Sequence, residues 1–306
     1  MEILKGMKSP LEMINYELEY EGVWFPPVVR PHCLEKLKTF EVREDDLILA
    51  TYPKSGTHWM KEVILLMQHD GHVDKIGRET DLTKNLAMSF VLPQDTKRCI
   101  LEEIAASPSP RFYLTHLPVQ LLPPQVWTKK PKIVHLTRDP KDACSSMYRF
   151  LNSLARATNT TVSLELVYNH SFSEKAHFGN WFDHALGYWN HRDDDNVLFL
   201  TYEEMKTDLR SVIRRLEKFL GLTITSEGME RIIEHASVEG MKKTFAKIEE
   251  ENENGKMYTR AFGLMPYMQK GVSGGWKELF TDEQRDECDK MMKEKLAGTG
   301  LDVHYH

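Results

Sequence analysis

This chain has few cysteines, no long apolar run and no excess of positive charge. Its cysteines, Cys33, Cys99, Cys144 and Cys288, are scattered and never form a Cys-x-x-Cys pair. That pattern argues against a zinc site and a disulfide framework, and it fits a reducing compartment. No stretch reaches the ~18 consecutive apolar residues that a membrane-spanning helix requires. The opening residues, Met1-Glu-Ile-Leu-Lys-Gly-Met-Lys8, lack the apolar core of a secretory signal. The expected location is therefore the cytoplasm. On that reading the triplets Asn159-Thr-Thr161 and Asn169-His-Ser171 are chance matches to a glycosylation pattern. Forty Lys and Arg stand against 46 Asp and Glu, a net charge of −6. Such a balance gives no general footprint for nucleic acid or a membrane surface. Repeats and low-complexity linkers are also missing.

The 306 residues are 41% hydrophobic, enough for a sizeable core. Apolar runs predict strands at 46–52, 111–116, 132–138 and 197–202. Helical spacing predicts helices near 57–69, 140–155, 177–191, 204–219, 226–235 and 282–296. Near 204–219, Leu209, Val212, Ile213, Leu216 and Phe219 share one face, and Gly221 ends the pattern. Strands alternating with helices imply an α/β fold, a mostly parallel central sheet flanked by helices in one domain over 1–306. The first ~20 residues read as a flexible end. The charged, glycine-bearing stretch 245–275 is long for a loop in a compact domain and reads as a lid.

Chemistry concentrates at Thr51-Tyr-Pro-Lys-Ser-Gly-Thr-His-Trp59, where a strand meets a turn and then a helix. Loop amides and the first helical N–H groups make such a junction an anion site. Gly56 permits close approach of the backbone. Lys54 adds a cation, and Ser55, Thr57 and His58 add hydrogen-bond donors. The order is not that of a Walker A loop, because Lys54 precedes Gly56 and no upstream glycine has the required spacing. A phosphoryl-transfer enzyme dependent on magnesium and a nucleoside triphosphate is disfavoured on that ground.

Three further segments stand out. Lys132-Ile-Val-His-Leu-Thr-Arg-Asp-Pro-Lys-Asp-Ala-Cys-Ser-Ser-Met-Tyr-Arg-Phe150 is a second strand, turn and helix, with Pro140 suited to a first helical position. Arg138 leaves its strand and Ser146 follows on its helix. A guanidinium fork matches phosphate oxygens, although Arg138 also has Asp139 and Asp142 nearby as surface partners. Pro110-Arg-Phe-Tyr-Leu-Thr-His-Leu-Pro118 puts His116 at or just past a strand end, the rim where open α/β sheets bind ligands. Tyr267-Met-Gln-Lys-Gly-Val-Ser-Gly-Gly-Trp-Lys277 carries three glycines in five residues beside a lysine.

Together these segments closely resemble the cytosolic sulfotransferases, from about Gly22 to the C-terminus. The resemblance implies 3′-phosphoadenosine-5′-phosphosulfate (PAPS) as donor and 3′-phosphoadenosine-5′-phosphate (PAP) as product, with no metal. Residues 51–59 match the phosphosulfate loop. The implied cofactor contacts are Lys54, Ser55, Gly56, Thr57, His58, Trp59, Arg138, Ser146, Tyr202, Ser237, Met241, Gln269, Lys270 and Gly271. His116 matches the catalytic base, with Lys54 and Ser146 completing the catalytic set. The implied reaction is an in-line transfer in which His116 takes the acceptor proton and Lys54 stabilises the leaving oxygen.

Several positions depart from the family pattern. Gln269 stands for arginine, Gly275 for aspartate, Ala236 for threonine, Val238 for an aromatic and His58 for threonine. Leu114 replaces a lysine found in many members. A catalytically weak or inactive nucleotide- or small-molecule-binding relative is thus the alternative function. Trp24, Phe25, Phe90, Tyr148, Phe150 and Tyr258 are aromatic candidates for the acceptor pocket, which suggests a phenol or other flat hydroxylated molecule. The stretch Lys277–Asp286 resembles the family's dimer segment, but Asp282 puts a charge there. A weak homodimer or a monomer is expected.

Overall fold

The computed structural model describes residues 11–15, 17–77, 86, 99–156, 159–251, 271 and 273–303. At its centre four parallel strands lie in the order β4-β3-β5-β6, with β3 at Leu47–Thr51, β4 at Phe112–Thr115, β5 at Lys132–Thr137 and β6 at Val197–Thr201. Each falls within its predicted range. Every residue of β3 is buried, as a strand covered on both faces must be.

The two faces divide by the two-residue period of a strand. Ile48, Ala50 and Ile133 enter one apolar cluster with Trp181, Phe182, Ala185 and Tyr188 of α8 (Trp181–Trp189). Leu47, Leu49, Val134 and Leu136 enter a second cluster on the opposite face. There they meet α3 (Thr57–Gln68), α10 (Leu209–Leu220) and α11 (Ser226–His235). A third, smaller cluster joins α6 (Pro140–Arg156) to α7 (Leu164–Ser171). At the opposite end of the sheet from the loop, Arg111 pairs with Asp46 in full burial, and Tyr113 Oη donates to the same carboxylate at 3.1 Å. This pair couples the entries to β3 and β4, and removing either partner alone would leave a buried charge.

Several elements differ from their sequence reading. The predicted helix 204–219 is two helices. α9 (Tyr202–Thr207) carries a Thr201/Glu204 capping box, and α10 starts afresh at Asp208, whose side chain accepts from Ser211 N. Tyr202 therefore opens a helix rather than ending a strand. The helix expected at 177–191 spans only Trp181–Trp189, because Phe178 and Gly179 both adopt left-handed backbone. Within the expected flexible end, Leu11–Ile14 form one helical turn (α1), and β1 (Leu18–Tyr20) pairs antiparallel with β2 (Val23–Phe25). Short helices α2 (Pro31–Leu37), α4 (Ile100–Ala106) and α5 (Gln125–Lys129) escaped the periodicity reading, as did α7. α12 (Val238–Glu251) occupies the start of the stretch read as a lid, and most of that stretch lies outside the described residues. α13 (Asp282–Leu296) and α11 have the predicted bounds.

The cysteine reading is corrected as well. Cys33 and Cys99 are disulfide-bonded across 66 residues, with Cα atoms 5.7 Å apart, while Cys144 and Cys288 are free and buried. Spacing along the chain could not show this, because the two sulfurs meet only when α2 packs on α4. No helix among the described residues is long and apolar enough to cross a membrane.

Candidate active site

The site lies where β3, β4 and β5 deliver their C-terminal ends. From Thr51 the chain turns through Tyr52–Gly56 into α3. Lys54 (φ +70°) and Gly56 (φ +104°) are both left-handed, which curls the loop tightly between β3 and α3. Only glycine fits the second position: a Cβ on Gly56 would lie 2.8 Å from Cδ2 of Tyr202. Ser55 is fully buried, and its hydroxyl finds no partner among the described residues. Thr57 Oγ1 meets Thr51 Oγ1 at 2.7 Å.

Lys54 Nζ stands 4.4 Å from the centre of the Phe150 ring. Its surroundings push its pKa down to about 7, through desolvation first and the Arg138 charge second. Desolvation likewise takes His58 down to about 3, followed by Lys61, Lys54 and His116. These shifts describe a pocket dense in positive charge and poor in water, the setting that an anion would relieve.

Arg138 arrives from the end of β5. It donates to the Lys54 carbonyl at 3.3 Å and lies 4.2 Å from the centre of the Tyr202 ring. Its carboxylate partner is Asp142, at 3.7 Å, and this pair is buried rather than on the surface. Asp139 does not pair with it. Its carboxylate caps α6, accepting from Lys141 N at 2.7 Å and Asp142 N at 3.2 Å. Ser146 follows Asp142 by one turn of α6 and so lies on the same side of that helix.

Asp142 has a second task that the sequence did not reveal. It accepts from Gly274 N at 2.7 Å and Trp276 N at 3.2 Å, and Arg149 donates to the Gly275 carbonyl at 3.0 Å. These bonds fasten the C-terminal glycine segment to α6. Gly271 (φ +56°) lies against Val238, and Gln269 and Lys270 fall outside the described residues.

On the far side of the loop, Trp59 and Tyr202 pack edge to face with centroids 5.2 Å apart. Trp59 Nε1 donates to the Ala236 carbonyl at 2.8 Å. Because the contact is to backbone, alanine in place of threonine at 236 leaves it intact. Ser237 caps a helix. It accepts from Gly240 N at 2.9 Å and donates to the Glu234 carbonyl at 2.7 Å. Met241 is buried beside it.

His116 sits just past β4. Its Nδ1 lies 2.8 Å from the Thr51 carbonyl and 3.1 Å from Thr51 Oγ1. A carbonyl can only accept, so Nδ1 carries the proton and Nε2 keeps its lone pair. Desolvation is the main reason that the His116 pKa falls to about 4, with the Thr51 bond opposing it and Lys54 adding to it. The imidazole is therefore neutral at pH 7.

Two residues missed in the sequence frame this histidine. Phe178, held at φ +67°, puts its ring 5.5 Å from His116. His184 Nε2 donates to the His116 carbonyl at 3.2 Å. Phe178 had no signal beyond its place before a glycine. The aromatic candidates then sort themselves. Phe25 is core, packed on Phe178 at 5.5 Å. Trp24 lies outside that layer, with Lys175 Nζ 4.5 Å from its ring centre. Tyr148 and Phe150 are partly buried on α6, and Phe90 and Tyr258 lie outside the described residues.

Residues 44–300 match the family model for the sulfotransferase domain. The chain belongs to the sulfotransferase family. Sulfotransferase 1C2 of Rattus norvegicus is 32% identical over 269 residues, covering 87% of this chain and 88% of that relative. Sulfotransferase 1B1 of Mus musculus is 33% identical over 276 residues, covering 88% of each. The solved structure of mouse sulfotransferase SULT7A1 complexed with PAP superposes with a TM-score of 0.72 at 30% identity, covering 92% of this chain and 95% of that one. Retinol dehydratase in complex with retinol and PAP shares the fold, with a TM-score of 0.74 at 24% identity. The sulfotransferase resemblance read from the four segments is thus shown, as is the α/β fold it implied.

Proposed function

We propose that this sulfotransferase moves the sulfuryl group of PAPS to a hydroxyl of a small, flat acceptor such as a phenol, with His116 as the base. One observation carries the reading: Thr51 ends the strand that opens the Lys54 loop, and the same residue fixes the tautomer of His116.

The residues fit an adenosine bisphosphate. A buried Ser55 hydroxyl with no partner among the described residues, a glycine whose Cβ would strike Tyr202, and Lys54 beside Arg138 in a poorly hydrated pocket suit an anionic ligand. Lys54, Ser55, Gly56, Thr57 and His58 would hold the 5′ end, and Arg138, Ser146 and the Gly271 segment the 3′-phosphate. Trp59, Tyr202 and Met241 would hold the adenine. When bound, the donor supplies an electrophilic sulfur and a phosphate leaving group.

The protein's own part is positional and electrostatic. Nε2 of His116 accepts the proton of the acceptor hydroxyl. The Thr51 carbonyl steadies the imidazolium that forms, and Lys54 sets positive charge at the loop apex. Phe178 beside His116 and Phe150 beside Lys54 favour a flat apolar acceptor over a charged one. The protein acts in the cytoplasm as a monomer or weak dimer. Asp282, placed in the dimer-like segment, is exposed and satisfied by Arg285 of its own chain at 2.8 Å.

Calorimetric titration with PAP, and with ATP and magnesium in parallel, is the test, followed by an acceptor screen with labelled donor. Saturable PAP binding that is lost in Lys54→Ala and Arg138→Ala, followed by transfer to a phenol, is the expected result. No binding at millimolar PAP would sink the reading. Binding without transfer to any acceptor would leave only a nucleotide-binding relative.

A further inference from the structure

Away from the active site, α2 and α4 bring together a group of residues that the sulfotransferase reaction does not use. We propose that His32, Cys33 and Cys99, with the cysteines reduced, bind a thiophilic divalent cation, represented by zinc, that clamps α2 to α4. One ligand atom from each of the three residues lies within 4.8 Å of the others. Both cysteines are 1% exposed. The group is the one cluster of this kind found among the described residues.

The histidine is what a disulfide alone leaves unexplained. Its Nε2 is buried and has no hydrogen-bond partner among the described residues. A bond between Cys33 and Cys99 satisfies the sulfurs and does nothing for this nitrogen. A cation held by both thiolates and by the Nε2 lone pair satisfies all three. Cys99 immediately precedes α4, while His32 and Cys33 lie in α2. Two thiolates and an imidazole suit zinc and select against magnesium and calcium.

Glu102 already bridges the same two helices. It lies in the first turn of α4 and is bonded to Lys36 of α2.

The chemistry balances simply. From the disulfide, a thiol reductant delivers two electrons and two protons and is itself oxidised to a disulfide. Both cysteine thiols then release their protons to solvent as two sulfur–zinc bonds form. His32 stays neutral, with its proton on Nδ1. The metal and the disulfide are alternative states of one pair, so reduction would exchange one clamp between α2 and α4 for another. The rule that zinc ligands come in closely spaced pairs misses such a site, because its second thiolate comes from a helix 66 residues away.

The test uses the full chain, reduced with a phosphine, loaded with zinc and freed of excess metal by gel filtration. Metal content by mass spectrometry should give one zinc per chain. Cobalt in its place should show a thiolate-to-cobalt charge-transfer band. Cys99→Ser should abolish that band, and His32→Gln should weaken binding about tenfold or more. If Cys99→Ser does not fold, His32→Gln alone decides, since it leaves both cysteines in place. The proposal fails if reduced protein retains no stoichiometric metal, if His32→Gln binds as tightly as the natural sequence, or if the cysteines resist reduction in the folded protein.

Discussion

The Thr51 carbonyl accepts the Nδ1 proton of His116 at 2.8 Å, which leaves Nε2 as the only basic nitrogen of that ring. The pair joins the last residue of one strand to the first residue past its neighbour. Desolvation lowers the pKa of this ring to about 4, so it is unprotonated at neutral pH.

Removing the base should separate chemistry from binding. His116→Ala is expected to lower kcat by about 10²–10⁴-fold, the usual worth of general base catalysis. PAP affinity should stay within a few-fold of the natural protein. A loss of PAP binding equal to the loss of turnover would show that His116 supports the loop rather than the proton transfer.

Lys54 should set an alkaline limit on cofactor binding. Its charge is present below its pKa and is lost as pH rises through about 7. PAP affinity of the free protein should therefore fall above that pH. Lys54→Arg keeps its charge throughout and should move the limit to much higher pH, even if its overall affinity is lower. An identical pH profile in both proteins would assign the limit to another group.

Gly56→Ala tests the close approach at the loop. An alanine there sits in left-handed backbone, at a cost of about 1–2 kcal/mol, and its Cβ meets the Tyr202 ring. Binding of PAP should weaken by about tenfold or more. Unchanged affinity would mean that the loop relaxes at no cost and that its curl is not what makes the anion site.

Buried histidines should make the fold sensitive to acid. His135 lies in β5 with both ring nitrogens unpartnered among the described residues, stacked on Tyr188 at 4.3 Å. Burial, reinforced by His184, holds its pKa well below the unfolded value of 6.5. As pH falls below 6.5 the unfolded chain takes up a proton that the fold refuses, so stability drops by up to about 1.36 kcal/mol per pH unit for this group. Burial acts the other way on Asp139 and Glu203, pushing their pKa values up to about 6 and about 7, so their effect is to favour the fold as pH falls. The comparison with His135→Phe isolates the histidine. The variant's melting temperature should decline less between pH 6.5 and 4.5, at constant salt, and an equal decline would remove His135 as a cause.

What the sequence made legible follows from the reach of each signal. Strand runs such as Leu47–Thr51 and the capped helix at 282–296 are local, and local pattern found them. The loop motif was legible because its donors are contiguous. Hidden were relations that only packing creates. Asp142 was visible as a neighbour of Arg138, but its grip on Gly274 spans 132 residues. Phe178 looked like any core aromatic, and only its positive φ turns it toward His116. Cys33 and Cys99 looked unrelated because α2 and α4 were too short to be seen. Ser237 also showed a role that the sequence did not reveal, a local helix cap.

The strand order β4-β3-β5 carries one more consequence. His116 and the Lys54 loop leave neighbouring strands, and Arg138 leaves the next. Parallel neighbours are spaced by about 4.8 Å, a distance that backbone hydrogen bonds fix along their whole length. The gap between His116 and the Lys54 loop is thus measured by the sheet itself. Surrounding segments can lengthen, shrink or change their side chains to suit a different acceptor, while the ruler that sets the reacting distance stays the same.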